Sequence, residues 1–229
     1  HLFEHVYLGY PLSTEAGVAR SQLVSSGALD KIPGAERRRH ADALYGARHY
    51  ADAAVEYRSL AGESDVSPGI RNELLVAAAE CDWKLNRLRK RDLDAIPDTN
   101  DEAGARRLYL LMELTRDGGD TGTVQSIDSQ METRFAASPW LTEALYSTGN
   151  MFLLLKDYPN AITYYGEVAK RFPTSRYAPS AHWRTGWLNY RLGQYPEAAR
   201  LFDEQIRVYG GGKEVPSALY WRARIYEEQ

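Results

Sequence analysis

Side chains capable of covalent or acid–base chemistry are present in this chain, but almost none stand at a working spacing. Cys81 is the single cysteine and sits among Leu74, Leu75, Ala78, Ala79 and Leu85 at helical intervals. That setting describes a buried, inert thiol rather than a nucleophile, and one cysteine rules out an internal disulfide framework. The histidines His1, His5, His40, His49 and His182 have no metal-ligand spacing. No His-Glu-x-x-His, Cys-x-x-Cys or Gly-x-Ser-x-Gly run occurs. Asp117-Gly118-Gly119-Asp120-Thr121-Gly122 opens like a calcium loop, with an acid first and glycine sixth. Gly119 and Thr121 then occupy ligand positions, and Asp128 stands where a bidentate Glu is needed, so it reads as a turn. Gly210-Gly211-Gly212-Lys213 lacks the spacing and trailing hydroxyl of a phosphate loop and reads as a flexible corner. The carboxylates are scattered over presumed helix exteriors, with no apolar pocket to raise one into a general acid. No catalytic, cofactor-binding or metal-binding residue is assigned, and no cofactor is expected.

What remains is recognition by rings and one guanidinium. Tyr146, Trp183 and Tyr220 lie 37 residues apart, as do Asn150, Trp187 and Arg224, with Leu153 and Tyr190 forming a third such row. Trp, Tyr and Arg are the types enriched in binding hot spots. The same rings also suit packing between successive repeats, Trp183 foremost, so both readings stand at this level. The candidate binding surface is therefore Tyr146, Asn150, Trp183, Trp187, Tyr190, Tyr220 and Arg224, facing a peptide, another domain or a glycan.

These rows require a repeating scaffold, and the sequence supplies one between residues 141 and 209. Gly149, Tyr158, Ala161 and Tyr165 recur 37 residues later as Gly186, Tyr195, Ala198 and Phe202. The small position returns at Ala223, and Phe135, Phe172 and Tyr209 open equivalent connectors. A period of this size marks stacked helical hairpins. Gly or Ala sits where two helices approach, and the Tyr/Phe ring fills the gap. Tyr50, Ala53 and Tyr57 match the spacing of Tyr158, Ala161 and Tyr165, which identifies an earlier hairpin.

Helices are expected over 2–8, 13–26, 35–46, 51–61, 69–91, 101–116, 124–135, 141–156, 158–172, 179–192, 196–209 and 216–228. Ser13 and Asp101 serve as caps, and prolines punctuate the corners. The run Arg87, Arg89, Lys90, Arg91 is read as cations at the negative end of the 69–91 helix, ahead of a patch for an acidic partner. The fold is all-α: a right-handed superhelix of antiparallel helix hairpins, a tetratricopeptide-like α-solenoid. It is taken as a single domain over 1–229, irregular over 1–135 and regular over 136–229. The period exceeds the usual 34, and the surplus is assigned to the connector Phe172-Pro173-Thr174-Ser175-Arg176-Tyr177-Ala178.

Composition agrees with this class and narrows the partners. Sixteen Tyr and five Trp against five Phe favour amphipathic aromatics at wet helix surfaces. A net charge of −3 argues against a general nucleic-acid binder. No apolar run is long enough to span a bilayer. The first residue is His1 and the helix ending at Gln229 lacks a pairing partner, so the chain reads as a fragment of an array.

The phrases Ser138-Pro139-Trp140-Leu141, Ala181-His182-Trp183-Arg184, Tyr190-Arg191-Leu192-Gly193 and Ala218-Leu219-Tyr220-Trp221-Arg222-Ala223-Arg224 carry a family likeness. They resemble the superhelical region of bacterial soluble lytic murein transglycosylases. The likeness covers 138–229 well and 13–135 only in general pattern. It implies the non-catalytic, periplasmic helical part of an enzyme that cleaves peptidoglycan. The scaffold would position a lysozyme-like domain that follows it, and no catalytic residue carries over because no matching Gly-Leu-Met-Gln motif is present. Its partners would be its own downstream catalytic domain, other envelope proteins and peptidoglycan glycan strands. The alternative is a stand-alone periplasmic tetratricopeptide adaptor for envelope assembly, in which the Phe-Pro-x-Ser-x-Tyr-Ala connector is also common.

Overall fold

The computed structural model describes residues 2–227. Among these residues thirteen α-helices and one 3-10 turn, Leu29–Lys31, follow one another as consecutive hairpins without a strand. The fold is all-α and tetratricopeptide-like. No described helix is long and apolar enough to cross a membrane. The helices form two compact units, His1–Leu110 and Leu111–Gln229.

The first unit holds α1 (Leu2–Gly9), α2 (Thr14–Ser25), α3 (Gly34–Gly46), α4 (Tyr50–Ala61), α5 (Pro68–Lys84), α6 (Lys90–Asp94) and the start of α7 (Glu102–Asp117). Its helix starts follow from capping chemistry. Ser13 Oγ accepts from the Ala16 amide at 3.2 Å, and Asp101 accepts from the Gly104 amide at 3.0 Å. Ala41, Ala53, Tyr57, Leu74 and Cys81 form one buried cluster, and Tyr7, Ala19, Leu23, Leu29 and Ile32 another. Cys81 is fully buried and burial pushes its thiol up to about 12, which suits an unreactive core residue.

One expected helix is broken. The 69–91 segment stops at Lys84, because Asn86 turns into the left-handed region (φ 55) and Leu88 then folds into the core. The basic run therefore does not line a helix C-terminus. Arg87 lies in the turn, Arg89 occupies the N-cap position of α6 with its backbone amide donating to Asp92 Oδ2 at 2.9 Å, and Lys90 and Arg91 open the first turn, the positive end of that short helix. The dipole argument survives for Lys84 alone.

The second unit continues α7 and adds α8 (Thr121–Arg134), α9 (Pro139–Leu154), α10 (Tyr158–Arg171), α11 (Ala178–Arg191), α12 (Tyr195–Val208) and α13 (Val215–Glu227). The end expected for α13 at Glu228 lies outside the described residues, as does His1. The 37-residue stride is visible in the backbone. Phe135, Phe172 and Tyr209 are C-caps with similar dihedrals (φ −135, −125 and −113), each donating to the carbonyl four residues back at 2.8, 3.0 and 2.9 Å. Lys156 (φ 60) and Gly193 (φ 74) make the same left-handed turn two residues before Tyr158 and Tyr195. Of the expected 117–122 turn only 118–120 lies between helices, and α8 starts at Thr121 rather than 124 because Asp120 caps it, accepting from the Thr123 amide at 3.0 Å.

The close approaches are where the small residues stand. A Cβ on Gly149 would lie 2.9 Å from the Tyr165 ring, and one on Gly186 would lie 3.1 Å from Phe202. Tyr165 and Phe202 are fully buried, a burial that stabilises by roughly 1.5–3 kcal/mol each. Ala223 differs: it is exposed.

Candidate functional site

The rings expected on one face do gather in the second unit, in two groups. The first is held by α9, α10 and α11. Tyr146 stacks on Tyr177 at 4.4 Å and 23° between ring planes, and its hydroxyl lies 3.2 Å from Ser180 Oγ. Arg184 reaches in from α11. Its guanidinium lies 5.5 Å from the centre of the Tyr146 ring and 5.3 Å from that of Tyr165, while Nη1 donates to the Tyr165 hydroxyl at 2.6 Å and to Asn150 Oδ1. The Tyr165 hydroxyl donates to the same Asn150 oxygen at 2.7 Å, and burial pushes its pKa up to about 12. Asn150 is thus engaged inside the scaffold and its carbonyl oxygen is not presented to a ligand.

This bond is a recurring device. In the first unit Tyr57, buried like Tyr165, donates to Asp42 Oδ1 at 2.7 Å. Asp42 follows the buried small residue Ala41 just as Asn150 follows Gly149. Where the ring is Phe202 and has no hydroxyl to satisfy, the position after Gly186 is Trp187 instead.

The second group spans α11 and α13. Trp183 and Trp187 stack at 6.2 Å and 12°, and the Arg191 guanidinium lies 5.6 Å from the Trp187 ring centre. Tyr190 packs on Tyr195 at 5.4 Å and on Trp221 at 4.7 Å. Trp183, Trp187 and Tyr190 are half-buried against Ala198, Phe202, Ala218 and Ile225, so they join repeats together. Tyr220 is 57% exposed and meets Trp221 edge-on at 5.2 Å. Arg224 is exposed, hydrogen-bonds the Tyr190 side chain and lies near Tyr220, contacts that hold its pKa above the ordinary guanidinium value. It also reaches Glu227 at 3.5 Å.

The seven residues expected on the surface therefore divide by physical role. Tyr146, Asn150, Trp183, Trp187 and Tyr190 are partly or wholly committed to packing. Tyr220 and Arg224 present a ring and a cation to solvent. Sequence reasoning missed Arg184, Tyr177 and Trp221, which organise the two groups. Their signal was available, since Arg184 and Trp221 lie 37 apart and Tyr177 belongs to the repeated connector.

The first unit holds a separate cavity of about 420 Å³ lined by Tyr7, Arg20, His40, Glu56 and mostly apolar neighbours. Glu56 is buried and ion-paired with Arg20. The His40 ring meets Tyr7 tilted by 32° at 4.0 Å, and burial holds its pKa below the ordinary imidazole value, with Glu56 opposing. Arg20 and Glu56 compensate each other, and Asp52, 3.7 Å from His49 Nδ1, adds a second carboxylate to the lining.

Comparison with known proteins bears on both fold and function. Residues 141–229 match the family model YfiO, described as outer membrane lipoprotein. No curated protein sequence matches the chain. Among solved structures, the signal transduction ATPase with numerous domains from Pyrococcus horikoshii, which carries a tetratricopeptide repeat sensor, is similar with a TM-score of 0.60 at 13% identity. The alignment covers 98% of this chain and 37% of that one, and it establishes the tetratricopeptide-like fold alone.

Proposed function

We propose that the chain is a protein-binding adaptor of the bacterial envelope, acting in outer-membrane assembly, with its second unit as the recognition element. The observation that carries this reading is the overlap between the outer membrane lipoprotein family match and the residues that bear Tyr220 and Arg224. Tyr220 supplies a rigid amphipathic ring, and Arg224 a cation already oriented by Tyr190, the combination that anchors polypeptide interfaces. Trp183, Trp187 and Tyr146 set the shape of the surface from behind. The same family match supports a periplasmic location and envelope protein partners. The scaffold of a murein transglycosylase shares the helical repeat, but the lipoprotein family match favours the adaptor.

The test is site-specific photocrosslinking in cells from position 220, with the products identified by mass spectrometry. The adaptor reading expects one envelope protein as the dominant adduct, lost on Arg224→Ala. Adducts to peptidoglycan fragments, or an adduct pattern indifferent to Arg224, would overturn it.

A further inference from the structure

Four helices of the first unit each set one polar side chain against the cavity described above: Tyr7 from α1, Arg20 from α2, His40 from α3 and Glu56 from α4. Glu56 is the one that the repeat does not require. Tyr50, Ala53 and Tyr57 align with Tyr158, Ala161 and Tyr165, and with Tyr195, Ala198 and Phe202. Glu56 therefore stands where the second unit has Tyr164 and Leu201. A ring or an aliphatic chain serves the scaffold at that position. A carboxylate only 1% exposed carries a desolvation cost there that packing does not return.

The same cluster holds polar atoms that the fold does not use. Glu56 Oε1 accepts from Arg20 Nε, while Oε2 has no hydrogen-bond partner. The Tyr7 hydroxyl and His40 Nδ1 have none either, although Tyr7 is fully buried and His40 is 6% exposed. Burial, and then the nearby Glu56 carboxylate, push the Tyr7 hydroxyl pKa up, but the two groups stand outside hydrogen-bond geometry. The neutral His40 imidazole commits its one proton to the Tyr7 backbone, which leaves Nδ1 a lone pair. Buried polar atoms are ordinarily paired, so three unpaired ones lining a single cavity point to a ligand that pairs them.

Charge and donor count select that ligand. Glu56 and Asp52 against Arg20 leave the lining one negative charge in excess with His40 and His49 neutral, which disfavours an anion. No group of three His, Cys, Asp or Glu that could hold a metal ion occurs among the described residues. A primary ammonium carries one positive charge and three N–H donors, one for each unpaired atom. Leu12, Leu44 and Val55 supply an apolar wall for the carbon chain behind it. We propose that this cavity binds a primary ammonium on a short alkyl chain, held by Glu56 Oε2, the Tyr7 hydroxyl and His40 Nδ1. The site belongs to the first unit and does not depend on the recognition surface of the second.

The test is calorimetric titration of n-butylamine into the intact chain, beside 1-butanol, which lacks the charge, and butyltrimethylammonium, which lacks the N–H donors. Saturable binding of the amine is expected, with both controls roughly tenfold weaker or more. Glu56→Gln should weaken the amine roughly tenfold. Tyr7→Phe should weaken it severalfold and keep the melting temperature, since the hydroxyl removed has no partner in the fold. That second variant decides the matter if Glu56→Gln does not fold. Nα-acetyl-lysine methylamide, titrated in parallel, separates the sources of the ammonium: tighter binding than butylamine assigns the site to a lysine side chain of a polypeptide, equal or weaker binding to a free amine. Absence of saturable binding at roughly millimolar amine would overturn the proposal and leave the three atoms to water. So would 1-butanol binding as well as the amine, or an affinity indifferent to Tyr7→Phe.

Discussion

Asp128 offers the sharpest quantitative test of how the second unit is built. It lies on α8, is 2% exposed, and accepts from Thr148 Oγ1 of α9 at 2.8 Å. Burial, with Glu132 and Glu113 adding repulsion, raises its pKa to about 7, while the Thr148 and Tyr164 hydroxyls pull the other way. The sign follows from proton counts. Between the ordinary carboxyl pKa of 3.8 and about 7, the folded protein keeps this proton and the unfolded chain does not. Stability from this group is complete below the lower value, declines as pH rises, and is lost above about 7. A gap of about three pK units corresponds to roughly 4 kcal/mol, at 1.36 kcal/mol per unit. Asp128→Asn keeps an oxygen for the Thr148 hydroxyl and removes the titration. The assay is urea unfolding by tryptophan fluorescence at pH 5, 6, 7 and 8, comparing wild type with the variant. The difference between the two should grow in the variant's favour from pH 5 to pH 8 by a few kcal/mol. Parallel pH profiles would refute the claim that this carboxyl is held protonated by its burial.

Further outcomes follow from the packing. Gly186→Leu should cost a few kcal/mol, because even a Cβ there presses on Phe202 and Leu201; an unchanged melting temperature would show that the α11–α12 approach is misread. Tyr165→Phe should cost about 1 kcal/mol by leaving Asn150 and Arg184 without the hydroxyl, measured by chemical denaturation. Tyr220→Ala with Arg224→Ala should weaken partner capture while leaving the melting temperature within about a degree, since both are exposed. Trp187→Ala, by contrast, should lower stability because that ring packs against the Phe202 cluster. In the first unit His40 titrates with the opposite sign to Asp128. Its folded pKa lies below the ordinary 6.5, so the stability it contributes by staying neutral is present above that value and lost as pH falls; His40→Gln should flatten the acid limb of the unfolding profile.

The helical repeat was legible without coordinates because it is written in local, periodic terms. Small residue, ring and corner proline recur at one interval, and each repeat contacts mainly its neighbours, so the Gly149–Tyr165 and Gly186–Phe202 contacts could be read directly from spacing. Ser13 and Asp101 placed the starts of α2 and α7 by the same local logic, whereas α8, expected from 124, begins at Thr121 on the Asp120 cap. The break at Asn86 was not legible, since ordinary helix formers surround it and the burial of Leu88 decides the turn. Periodicity also could not say which aromatic positions face solvent. Tyr146, Trp183 and Tyr220 occupy one row in sequence, yet only Tyr220 is open, because exposure depends on what lies opposite each ring. Asn150 likewise belonged to the candidate surface by spacing, and only the tertiary structure shows its oxygen taken by Tyr165 and Arg184. The interval along the chain determines which side chains share a face; the neighbours brought from other helices determine whether that face is core or site.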